Sequence, residues 1–127
     1  MRNGNFRNAD FSGANLKRAV LFYADLSGAN LNGADLTQAQ LTDVNLKNAD
    51  LRNTILDETR LSGSDLSGVS FVGAHITKTD FSKTNLRGAS FLRIPEDSSN
   101  NFAGADLSGA TWSYGLLCPE GAIGRCE

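Results

Sequence analysis

The chain has 127 residues, enough for one domain with a modest core, and its 12 Lys and Arg against 14 Asp and Glu leave a net charge of −2. That balance excludes a polybasic nucleic-acid binder, whose affinity comes largely from phosphate neutralisation, and equally an acidic tail or a basic membrane-surface helix. No apolar run approaches the ~20 residues that span a bilayer, and the chain is expected to enter its repeat with no signal peptide ahead of it, so that Met1 is either native or the start of a trimmed domain.

From Phe6 onward a large apolar residue returns every five positions: Phe6, Phe11, Leu16, Leu21, Leu26 and so on to Phe91, 18 units without a slip. Two residues before each stands a small or β-branched side chain, Ala in ten of the 18 (Ala9, Ala14, Ala24 and Ala34 among them). Five residues turn an α-helix by about 500°, so these leucines would form no stripe on a helix. A single long strand fails as well, because an odd step sends each leucine to the opposite face. Both objections disappear if each unit is a very short strand followed by a corner. The small residue and the Leu, two apart, then face the same way, and the corner re-aims the next unit inward. Seven units carry Gly two residues after the large one, from Gly13 to Gly88, where a turn needs φ > 0. The reading is all-β, a β-solenoid coiled around Leu, Phe and Ala.

Units such as Ala24-Asp25-Leu26-Ser27-Gly28 and Ala34-Asp35-Leu36 resemble the pentapeptide repeat family. The resemblance runs unbroken over about residues 4–93 and resumes at 102–117. It implies a right-handed quadrilateral β-helix with about 20 residues per coil and about six coils; the five-residue period by itself fixes neither the hand nor the number of units. One internal feature agrees. Asp or Asn precedes the large residue in 11 of 18 units, and coils stack about 4.8 Å apart, so Asp above Asp would repel. A 20-residue coil avoids every such pairing among Asp10, Asp25, Asp35, Asp50, Asp65 and Asp80, whereas a 15-residue coil creates several.

After Phe91 the phase breaks, and residues 92–101, with "PEDSSNN" at 95–101, read as a surface loop bulging from a corner. Phe102, Leu107, Trp112 and Leu117 continue the large positions, giving a solenoid over 1–117 and a C-terminal capping tail over 118–127. A solenoid end exposes strand edges and apolar interior, and Trp112 with the residues after it is suited to close that end. The N-terminus shows no such cap, which points to a trimmed domain, an unrecognised cap, or a homodimer through a solenoid end. Cys118 and Cys126 are the only cysteines. They form either a disulfide, stabilising by about 2.5 kcal/mol through loop closure and implying an oxidising compartment, or two reduced thiols. The tail resembles those of some exported bacterial pentapeptide repeat proteins, cyanobacterial ones included. Export to a periplasm or thylakoid lumen is thus expected if the disulfide forms, and a cytoplasmic location otherwise.

Chemistry is hard to place in such a chain. Catalysis needs polar groups converging in a pocket, and here the interior is filled with Leu, Phe and Ala. His75 is the single histidine, two cysteines and one distant His do not make a zinc set, and no GxSxG, P-loop, HExxH or dinucleotide fingerprint occurs. The aspartates before the large residues read as turn formers bonded to nearby backbone. The chain is read as not an enzyme, with no catalytic residue, no metal and no cofactor.

Binding remains open, because outward side chains are free to vary. In "AVLFYADL", Val20, Phe22 and Tyr23 all take outward positions where neighbours are polar. They form either a partner patch or a surface packed beneath a flanking segment. A weaker candidate patch is Ile55, Arg60 and His75, which replace the usual Asp or Asn. The expected function is a non-catalytic protein-interaction or scaffold module with an unknown protein partner and no direct contact with nucleic acid or membrane interior. The resemblance implies one specific alternative, a DNA mimic that modulates DNA gyrase. It would need an acidic rod, and the outward column Arg7, Ser27, Lys47, Ser67, Arg87 is basic. A small structural or stress protein is the third reading.

Overall fold

The computed structural model describes residues 2–95 and 97–126, and the chain is a right-handed quadrilateral β-helix. Parallel bridges join each residue before a large one to the residue twenty further on, as in Asn5↔Asp25, Asp25↔Asn45, Asn45↔Asp65 and Asp65↔Asn85. Four such columns make four faces, beginning at Asn5, Asp10, Asn15 and Val20, and the first face has six levels, ending at Asp106.

The unit around Leu26 shows how five residues achieve this. Ala24 and Leu26 point inward and are buried, while Asp25 between them points out. The Ala29 N–H donates to the Leu26 carbonyl at 3.0 Å, closing a four-residue turn whose third residue, Gly28, has φ +68°. A positive φ at that one position marks a type II turn. All 18 units repeat it, with φ from +51° at Lys78 to +76° at Gly73. Between turns the coils are laddered: the Leu26 N–H donates upward to Asn45 at 2.7 Å, and the Asp25 N–H downward to Gly4 at 2.9 Å. Asp25 also steadies its own corner, because its Oδ1 accepts the Ser27 N–H at 3.0 Å. The same bond recurs at Asp10, Asn30, Asp35, Asp50, Asp65 and Asp80, among others. The aspartates are turn groups, as their spacing predicts.

Inside, the columns of Leu and small residues are solid from Leu21 to Leu107. Where Thr or Ser takes a small position the hydroxyl is satisfied by a carbonyl; Thr59, Ser64 and Thr79 each donate across a coil at 2.7 Å. Toward the C-terminal end aromatics replace leucines, with Phe71 stacked on Phe91 at 4.7 Å and Phe81 on Phe102 at 4.9 Å. Phe6, Phe11 and Leu16 in the first coil are only partly buried.

The segment before Asn101 adds one residue to its coil: Asp80 pairs with Asn101, Asn85 with Asp106 and Ser90 with Thr111. Ile94 still turns inward before the chain leaves the coil. At the far end a 3-10 turn over Ser113–Gly115 reverses the chain, with Tyr114 at φ +63°. The returning segment pairs antiparallel with the last level, Leu117 against Thr111 and Ile123 against Asp106. Leu117 therefore does not continue the inward column as its register suggests; it is 66% exposed, because the reversal places it beside outward-facing Thr111. Ala122 is buried against the end of the core, and a Cys118–Cys126 disulfide closes the tail.

Candidate interaction surface

Eighteen units share one backbone, so what distinguishes one face from another is the outward residue before each large one. Most are Asp, Asn or Ser, and their side chains bond their own turns. Val20, Gln40 and Arg60 cannot do so in that way, and the bridges Val20↔Gln40 and Gln40↔Arg60 place them on consecutive levels of the fourth face. Each forgoes a local hydrogen bond with a net value of about 1 kcal/mol. Ile55 and His75 do the same on the third face, where they are also bridged. Within the weaker candidate patch Ile55 and His75 share one face, and Arg60 lies one corner away, in line with Val20.

At the N-terminal end of the fourth face Val20 is 37% and Tyr23 58% exposed, with Phe22 half-buried between them. The Arg2 guanidinium lies 5.3 Å above the Phe22 ring, a cation–π contact that fixes the ring on the outer surface. Tyr23 holds a corner position at φ +60°, where the other units use Gly, Asn, Asp or long polar side chains. A bulky residue in the left-handed region carries strain of about 1 kcal/mol. Along the corner before this face, Arg18 Nε donates to Gln38 Oε1 at 3.0 Å, and Gln38 Nε2 donates to Glu58 Oε2 at 3.3 Å. Arg60 is exposed, and its guanidinium makes no ion pair among the described residues.

On the third face His75 Nδ1 lies 2.7 Å from Asp57 Oδ1, which also accepts the Thr77 hydroxyl at 2.9 Å. Among the described residues no serine hydroxyl is bonded to this histidine. A cleft of about 450 Å³ opens where the chain leaves the coil after Ile94, floored by Ile76, Phe91 and Phe102, with Asp97 at its rim. Hydrogen bonds from Ser99, with a smaller contribution from the Lys78 charge, hold the Asp97 carboxyl below the usual carboxylate range, as for a turn carboxylate. Among the described residues no three His, Cys, Asp or Glu converge as metal ligands, and no helix is long and apolar enough to cross a membrane. Sequence reasoning missed one surface: Tyr114, Leu116, Leu117 and Ile123 are all exposed at the C-terminal end, on the reversal and the segment that returns from it. The tail's departure from the repeat was the available signal, but only the reversal shows which side chains face out.

The geometry defines a β-solenoid repeat protein with a closed interior and a variable outer surface. The family model described as pentapeptide repeats (8 copies) matches it over residues 1–38, 19–57 and 54–91, and the chain belongs to the pentapeptide repeat family. No curated protein shows a significant match. Among solved structures the chain is similar to a pentapeptide repeat protein from the Arabidopsis thaliana thylakoid lumen, at 31% identity over 85% of this chain and 68% of that one, with a TM-score of 0.38. It is similar to full-length QnrB1, a plasmid-mediated fluoroquinolone resistance protein, at 18% identity over 94% of this chain and 81% of that one, with a TM-score of 0.52. A pentapeptide repeat protein from the cyanobacterium Cyanothece shares 25% identity over 88% of this chain and 82% of that one, with a TM-score of 0.45.

Proposed function

We propose that this protein is a non-catalytic interaction module that docks a protein partner on the N-terminal half of its fourth face, around Val20, Phe22 and Tyr23. The observation that carries the reading is Tyr23: a large, exposed aromatic held in a left-handed corner that Asn or Gly fills elsewhere without strain. Such a residue costs the fold stability, and a contact surface gives it a use. Membership of a family of generally non-enzymatic structural and interaction modules supports the same conclusion. A purely structural or stress role leaves Tyr23 unexplained. The Cys118–Cys126 disulfide supports an oxidising compartment, either a periplasm or a thylakoid lumen.

The test is capture of proteins from the source organism on the immobilised chain, with Phe22→Ser and Tyr23→Ser introduced together. Loss of a captured protein at unchanged melting temperature supports docking; retention of every captured protein contradicts it. Modulation of DNA gyrase is the competing reading. The likeness to QnrB1, at 18% identity, shows the fold alone, and the basic column from Arg7 through Lys47 to Arg87 opposes duplex mimicry. A second copy at a solenoid end is a further partner, favoured by the exposed Tyr114, Leu116, Leu117 and Ile123. Sedimentation velocity checks it: a monomer at all concentrations rules it out.

A further inference from the structure

We infer that the partner of the fourth face is a protein segment bearing carboxylates beside an apolar side chain, the carboxylates received by Arg18 at the corner before Val20 and by Arg60 two levels above it, and the apolar side chain by Val20, Phe22 and Tyr23. This deepens the docking reading and rests on it. The inference starts from charge. Residues 2–23 carry Arg2, Arg7, Lys17 and Arg18 against Asp10 alone, although the whole chain is at −2. Lys17 is turned to Asp35 at 3.5 Å and Arg7 toward Asp25 at 3.9 Å. Arg18 leans on a neutral amide, Gln38, and Arg2 on an aromatic ring.

Register supplies the second observation. Through Gln40, Arg60 stands two levels above Val20 on the same face, about 10 Å away at ladder spacing. The carboxylates near it are Asp43 and Glu58 at the two corners and Asp80 one level above. Glu58 accepts the Gln38 amide, and Asp80 accepts the Ser82 N–H and the Asn101 amide. None of the three forms an ion pair with Arg60. Between Val20 and Arg60 the face is bridged β surface, with Gln40 half-buried at its centre. Arg, Tyr and Phe are the side chains enriched where interfaces concentrate their binding energy, and Arg engages a carboxylate bidentately. An extended segment laid along the column would place an apolar residue between Val20 and Tyr23 and set its carboxylates against Arg18 and Arg60.

Fluorescence anisotropy tests this with an end-blocked, labelled peptide in which pairs of Glu flank single Leu and Phe residues, and with its Gln counterpart. The Glu peptide is expected to bind the intact chain. Arg18→Glu with Arg60→Glu should weaken it roughly tenfold at low salt, and salt well above the physiological range should do the same. Tyr23→Asn should weaken it as well. Equal binding of the Gln peptide, with Tyr23→Asn still weakening it, overturns the acidic partner while leaving the docking face in place. Binding of the Glu peptide that ignores Tyr23→Asn overturns the docking face itself. No binding of either peptide overturns the inference, and the capture experiment then judges the face separately.

Discussion

A Cβ on residue 73 would overlap the Asn53 side-chain oxygen one level below, at a backbone φ of +76° that L side chains rarely adopt. Gly73→Ala should therefore cost about 1–2 kcal/mol, read as a fall of several degrees in the thermal midpoint. Only seven of the 18 corners announce themselves this way in the sequence; the other eleven hold Asn, Asp, Gln, Glu, Lys, Arg or Tyr23 in the same conformation. They were not legible individually because the ladder on both sides imposes the turn whatever residue occupies it. Titration belongs to this scale too. Bonded by Arg52 Nε and Nη2 at 2.9 and 2.7 Å, the Asp50 carboxyl is held down to about 2. Hydrogen bonds from Ser12, Ser27, Thr37 and Ser108 hold Asp10, Asp25, Asp35 and Asp106 below the usual carboxylate range. A depressed folded-state value means the unfolded chain binds more protons. The stability these groups contribute is present above the unfolded value of about 3.9 and drains away as pH falls toward about 2. A thermal midpoint that does not drop across that window would contradict the role given to these turns.

Each five-residue unit is laddered to the units above and below it as well as bonded within its own turn, and so a core truncation is felt across levels. Leu56 is fully buried between Leu36 and Ile76, and Leu56→Ala should cost about 3 kcal/mol in lost transfer energy and residual cavity. The period alone made this column legible, since no helix or long strand tolerates a step of five. Closure of the C-terminal end was legible only as a departure from that period. Its direction was not, because a single turn over Ser113–Gly115, with Tyr114 in the left-handed region, decides it and carries no strong sequence signal. The disulfide holds residues that themselves hold the last coil: Cys118 N–H donates to Ala110, and Gly124 N–H to Ala105. Replacing both cysteines with Ser should cost about 2.5 kcal/mol. Hydrogen exchange should accelerate first at Leu107 and Gly109, whose N–H groups donate to the tail. Uniform acceleration along the solenoid would mean the tail is no separate cap.

For the whole molecule, rigidity is shared by every level, whereas surface character is local. The outward positions bond their own turns along much of the rod, and depart from that habit on the third and fourth faces. The Val20, Phe22 and Tyr23 patch was legible as apolar residues in outward register. Its continuity with Arg60 was legible only through the coil length that the family resemblance implies, because the five-residue period alone does not say which units stack across forty residues. The central claim is that Tyr23 serves this surface and not the fold. The most direct measurement is the thermal midpoint of Tyr23→Asn. Asn takes the equivalent turn position on other corners at Asn8, Asn48 and Asn53, with the same positive φ, so relief of strain should leave the midpoint unchanged or raise it by roughly 1–3 °C. A fall of several degrees would show that the Tyr23 ring holds the solenoid together, and would contradict the account.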